Sequence, residues 1–119
     1  MTAPVLDTSC IWALAEEMDS RATALAFITD FLRMLPERVA RINQTLWTSD
    51  RDHAMDAVLS LATSASMAGA HQLAQHCRSI WRDVNTGNLA AARKSSLGLH
   101  SRTAALTQEI TLLLDPAGT

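Results

Sequence analysis

Apolar residues recur every three or four positions along almost the whole chain and hardly ever alternate, which is the signature of helices with one buried face rather than of strands. Five helical segments follow from this pattern. The first spans about Thr8 to Met18, with Asp7 or Thr8 as N-cap and Ile11, Leu14, Ala15 and Met18 on one face. The second spans about Ser20 to Trp47 and carries the stripe Phe27, Phe31, Leu35, Val39, Ile42 and Leu46; Pro36 interrupts it and predicts a kink near Met34 rather than two helices. Ser49 followed by Asp52 resembles a capping box and opens a third helix, from about Asp50 to Met67, whose inner face is Ala54, Ala57, Val58, Leu61 and Ala65. Gly69 ends it. A fourth helix from about Ala70 to Val84 buries Leu73, Ala74, Cys77, Ile80, Trp81 and Val84. After a turn at Asn85–Asn88, the last helix spans about Leu89 to Leu114, locally weakened at Gly98 by about 1 kcal/mol relative to alanine. Residues Asp115–Thr119 read as a frayed tail.

A short helix, a long one and three further amphipathic helices predict an all-α fold: an up-and-down four-helix bundle with a short N-terminal covering helix, one domain over 1–119 with an ordered core of about 6–114. Composition agrees. The chain is 48% hydrophobic but only 4% aromatic, rich in the Ala and Leu that favour helices. The formal net charge of −2 gives no basic surface for nucleic acid, and no run of about 18 apolar residues marks a membrane span. With no secretory signal pattern at the N-terminus, the expected location is cytoplasmic. Cys10 and Cys77 stand at no metal-ligand spacing, so two buried, reduced thiols and no metal or other cofactor are expected.

The stretch from Val58 to Cys77 carries a more specific signal. Leu61, Ala65, Gly69-Ala70, Leu73 and Cys77 match the central motif of histidine phosphotransfer domains, Ala-His-x-Leu-Lys-Gly-x-Ser followed by Gly-Ala-x-x-Leu and often Cys. The chain thus resembles that family over nearly its whole length. The resemblance implies a phosphorelay signalling module whose partners are a response-regulator receiver domain or a histidine kinase. It also places Leu59 where the family has its phospho-accepting histidine, Ala62 where it has lysine and Thr63 where it has glycine. Leucine has no nucleophilic nitrogen, so the resemblance implies a degenerate member: no catalytic residue, no enzyme, and docking without carrying phosphate.

Helix phase puts Asp52, Met55, Asp56, Leu59, Ala62, Thr63 and Ser66 on the side of the third helix opposite Val58 and Leu61. This is the candidate partner-docking face, with Met55, Leu59 and Ala62 as an apolar strip. Two other readings use the same sequence. The strip allows a helical assembly module that pairs with a second copy, as a homodimer. A non-standard histidine, His53 or His71, would instead make a working phosphotransferase. His76 and His100 have no carboxylate or cysteine at helical spacing, and the three tryptophans Trp12, Trp47 and Trp81 read as core or boundary anchors. Ser64 and Ser66 lack a paired histidine and acid, and no glycine-rich phosphate loop occurs.

Overall fold

The computed structural model describes residues 4–115; the predicted frayed tail beyond Asp115 lies outside them. The described residues form six helices: α1 (Thr8–Glu17), α2 (Arg21–Trp47), α3 (Arg51–Ala68), α4 (His71–Asn85), α5 (Leu89–Ser96) and α6 (Leu99–Leu114). Helix α2 runs unbroken through Pro36. At about 1.5 Å per residue its 27 residues span about 40 Å, close to the 43 Å long axis of the molecule. Helices α2, α3, α4 and the α5–α6 pair form the four rods of an up-and-down bundle, and α1 lies across α2 and α3.

The tightness of the hairpins has one local cause, used four times. Each of α1 to α4 ends in a pair of crossed hydrogen bonds: Ser20 N–H to Ala15 O with Asp19 to Glu16, Asp50 to Thr45 with Ser49 to Leu46, Ala70 to Ala65 with Gly69 to Ser66, and Asn88 to Asp83 with Gly87 to Val84. This is the Schellman arrangement, which needs a left-handed residue after the helix. Asp19, Ser49, Gly69 and Gly87 supply it, with φ of 47°, 59°, 85° and 82°. The residue that closes each motif is also the N-cap of the next helix: Ser20, Asp50, Ala70 and Asn88. One helix therefore stops where the next begins.

Ser49 consequently cannot cap α3, as the sequence led us to expect. It is committed to the left-handed end of α2, and the Asp50 carboxylate accepts the His53 N–H instead. Asp7 is the cap of α1 and Asn88 that of α5.

The core is one continuous cluster that includes Ile28, Phe31, Leu35, Ile42, Leu46, Val58, Leu61, Leu73, Ile80, Leu99, Leu106 and Ile110. At the start of α2 the buried positions are Ala24 and Ile28, leaving Phe27 half-buried. Trp47 is a second departure: it is 59% exposed, with the Arg93 guanidinium 5.5 Å from its ring centroid. Trp12 sits at the boundary, and Trp81, expected among the buried residues of α4, is only half-buried against the core. Cys77 is buried, and burial pushes its thiol up to about 12, which leaves it protonated and inert.

The predicted last helix is two helices. Between them the turn tightens: the Leu97 and Gly98 amides bond three residues back, to Lys94 and Ser95. His76 of α4 stabilises the break. Its Nε2–H donates to the Ser95 carbonyl at 2.8 Å, and its Nδ1 accepts from Arg102 Nε at 3.1 Å. The Arg102 contact requires the neutral ring, and burial, with Arg102 nearby and against the opposing Ser95 bond, lowers the His76 pKa below 6.5. The unfolded chain therefore binds a proton on this ring more readily than the folded one, so the contribution is intact above pH 6.5 and is lost as pH falls from there through the folded-state value. In urea titrations between pH 8 and 5, wild type is expected to lose stability below pH 6.5 relative to His76→Gln. Parallel pH profiles for the two proteins would contradict this.

Candidate functional site

Asp50 fixes where α3 begins and so sets its phase. The helix packs against α1, α2 and α4, so its buried arc is wide: Ala54, Val58, Leu61, Ala62, Ala65 and Ala68. Four of these six are alanines, small enough to let neighbouring helices come close. Leu59 points away from the arc and is 49% exposed.

The predicted docking face is therefore narrower than helix phase alone suggested. Asp52, Asp56, Leu59 and Thr63 are exposed and Ser66 is half-buried. Ala62 is not on the surface: at 1% exposure it belongs to the core, because a helix packed on three sides covers the flanks of its inner stripe. Met55 is half-buried and packs against the core from the edge. The apolar strip Met55–Leu59–Ala62 thus reduces to a single outward leucine. Beside it, the Thr63 hydroxyl turns back onto the Leu59 carbonyl at 3.0 Å.

Arginines from the neighbouring helices flank this leucine. On one side, Leu59 lines an open groove with Gln75, Arg78 and Arg82 of α4 and Arg102 of α6. Arg78 donates to the Ser66 hydroxyl at 2.8 Å. On the other side, Arg38 of α2 donates to the hydroxyls of Ser60 and Ser64, both at 3.2 Å. Asp52 and Asp56 lie toward the N-terminal end of the same face. An exposed apolar side chain between cationic flanks can bury against a partner's apolar surface while its rim meets negative charge. Arg38 and Arg82 were not singled out in the sequence; the spacing Gln75, Arg78, Arg82 on one side of α4 is the signal that was available.

The two alternative histidines lie elsewhere. His53 Nδ1 sits 2.7 Å from Asp50 Oδ2 at the N-terminus of α3, and its hydrogen bond holds the Asp50 carboxyl below the usual carboxylate range. His71, at the start of α4, places Nε2 3.5 Å from both Cys10 Sγ and Asp7 Oδ2. Cys10 is thus only half-buried and has polar neighbours, contrary to the expected buried thiol.

No protein-family model and no curated protein matches the chain. Among solved structures it is similar to the crystal structure of histidine-containing phosphotransfer protein B from Pseudomonas aeruginosa PAO1, with a TM-score of 0.86 at 20% sequence identity. The match covers 97% of this chain and 98% of that one. At this identity the likeness establishes the fold: the chain has the helical architecture of a histidine-containing phosphotransfer protein. No helix among the described residues is long and apolar enough to cross a membrane.

Proposed function

We propose that the chain is a phosphotransfer-like docking module of a two-component relay, binding a receiver domain or the histidine-bearing region of a kinase without carrying phosphate itself. The observation that carries this reading is Leu59. In a bundle with the phosphotransfer fold, the position that the sequence motif aligns with the reactive histidine is exposed, apolar and flanked by arginines. A receiver's phosphorylation pocket is acidic, so Arg38, Arg78 and Arg82 supply complementary charge for encounter, and Leu59 supplies the buried anchor. Asp52, Asp56, Thr63 and Ser66 complete the face, with Met55 and Ala62 supporting it from beneath.

Self-pairing through the same strip has less to recommend it, since Ala62 is core and Met55 half-covered. Transfer through His53 or His71 is also disfavoured. At His71 the Nε2 itself faces the Asp7 carboxylate at 3.5 Å, so a phosphoryl group there would meet negative charge, and His53, its Nδ1 held by Asp50 at 2.7 Å, lies about a turn and a half from Leu59 at the N-terminal end of α3.

Covering the exposed half of Leu59 would contribute about 0.8–1.5 kcal/mol, equivalent to roughly fourfold to tenfold in affinity, and an arginine there would add the cost of covering a charge. In calorimetric titrations against purified receiver domains from the same organism, wild type is expected to bind one of them saturably. Leu59→Arg should weaken that binding at least about tenfold. Receiver binding unaltered by Leu59→Arg would place the interface elsewhere and defeat this reading.

A further inference from the structure

The N-terminal segment crosses the turn between α3 and α4 and brings together donor atoms that lie far apart in sequence. The Asp7 N–H donates to the Gly69 carbonyl at 2.8 Å, which pins the start of α1 over the start of α4. Gly69 is left-handed, and a side chain there would collide with the Asp7 carbonyl, so the close approach depends on glycine. Asp7 and Cys10 lie one helical turn apart and face His71 across this junction.

The three donors form a nearly regular triangle. Cys10 Sγ is 3.8 Å from Asp7 Oδ2 and 3.5 Å from His71 Nε2, and His71 Nε2 is 3.5 Å from Asp7 Oδ2. Zinc bonds of about 2.0–2.1 Å to nitrogen or oxygen and about 2.3 Å to sulfur, at tetrahedral angles, require edges of roughly 3.3–3.4 Å for N···O and about 3.6 Å for those to sulfur. The observed edges depart from that requirement by about 0.2 Å at most, so little side-chain movement would be needed to seat the ion. Asp7 divides its carboxylate suitably. Oδ1 accepts from the Ser9 amide and hydroxyl as the helix cap, and Oδ2 is the oxygen aimed at the cluster.

We propose that Asp7 Oδ2, Cys10 Sγ and His71 Nε2 form a binding site for a borderline-soft divalent transition-metal cation, zinc in the first instance. A thiolate, an imidazole and a carboxylate together suit zinc far better than calcium or magnesium, which take oxygen ligands. On binding, the Cys10 thiol releases its proton to solvent and the neutral ring ligates through Nε2. The thiolate and carboxylate then balance the two positive charges of the ion. The His71 and Asp7 side chains remain 47% and 37% exposed, so solvent reaches the fourth position and water completes the tetrahedron. This site is independent of the receiver-docking reading and lies away from Leu59.

The test uses the full chain, stripped of metal and reduced, titrated first with Co²⁺ and then with Zn²⁺. Wild type is expected to develop a thiolate-to-cobalt charge-transfer band that saturates at one equivalent and is abolished by Zn²⁺. Cys10→Ser should lose the band, and His71→Gln and Asp7→Asn should each bind at least about tenfold more weakly. Asparagine still caps a helix, so Asp7→Asn separates ligation from folding. His53→Gln should behave as wild type. As a check without mutation, Zn²⁺ should slow alkylation of Cys10 at least tenfold. No saturable band in wild type, a band that survives Cys10→Ser, or alkylation of Cys10 unaffected by Zn²⁺ would overturn the proposal.

Discussion

Leu59→His is expected to place a phosphate-accepting imidazole at the centre of the proposed docking face. Position 59 is half-exposed on the outer face of α3, so an imidazole there has an open approach from solvent. Its nitrogen would attack the phosphorus of a receiver's aspartyl phosphate. The phosphorus–oxygen bond to the carboxylate then breaks, and the aspartate leaves ionised. Arg78 and Arg82 lie across the groove from this position, and their guanidinium groups can approach the transferred oxygens where the family would use lysine at position 62. Transfer should be slow, because Thr63 occupies the position where a bare glycine backbone would admit the receiver. The double variant Leu59→His/Thr63→Gly is expected to be faster than the single one. The readout is acid-labile, base-stable label on the chain after incubation with a phosphorylated receiver. Incorporation by Leu59→His with none by wild type is the expected result. No incorporation by either variant, despite receiver binding, would mean that the face does not present position 59 to the reacting phosphate.

Gly69→Ala should be among the most destabilising single substitutions in the molecule. The position combines two demands. Its φ of +85° is the left-handed region, which costs an L-residue roughly 1–2 kcal/mol. An added Cβ would also strike the Asp7 carbonyl and approach Cys10 Cβ to 3.2 Å, forcing α1 off the α3–α4 turn. Gly87 makes the useful contrast. Its φ is +82°, yet nothing lies within 4 Å of the Cβ site, so alanine there meets conformational strain alone. We expect Gly69→Ala to cost about 2–4 kcal/mol and Gly87→Ala about 1 kcal/mol, read from chemical denaturation. Equal losses at the two glycines would show that the α1 contact contributes little.

The fold was legible because its causes are local and repeated. The three- and four-residue spacing of Phe31, Leu35, Val39, Ile42 and Leu46 is enough to specify a core-facing helix, and the Gly69 and Asn85–Asn88 turns punctuate the bundle where glycine or asparagine was needed. Two helix boundaries were less readable. Ser49 looks like a cap in sequence, and only the competing demand of α2 for a left-handed end residue reassigns that role to Asp50. The break at Gly98 depends on His76, a residue on another helix, reaching the Ser95 carbonyl.

The candidate face was legible in outline and not in extent. Periodicity assigns one stripe to the core, whereas α3 is packed by three other helices, so Ala62 on the flank is covered although it does not share the stripe. The Asp7–Cys10–His71 cluster was not legible at all. Asp7 to Cys10 is an unremarkable helical interval, and His71 joins it only because Gly69 lets the N-terminal ends of α1 and α4 touch.

The central claim is that the wild-type chain binds a receiver through the Leu59 face and takes no phosphate from it. The most direct measurement incubates wild-type protein with a radiolabelled phospho-receiver to which it binds, then assays both chains for label over time. The expected result is saturable binding with all label remaining on the receiver or released as inorganic phosphate. Stable, acid-labile label on this chain, removed by His53→Gln or His71→Gln, would contradict it and make the protein a phosphotransferase after all.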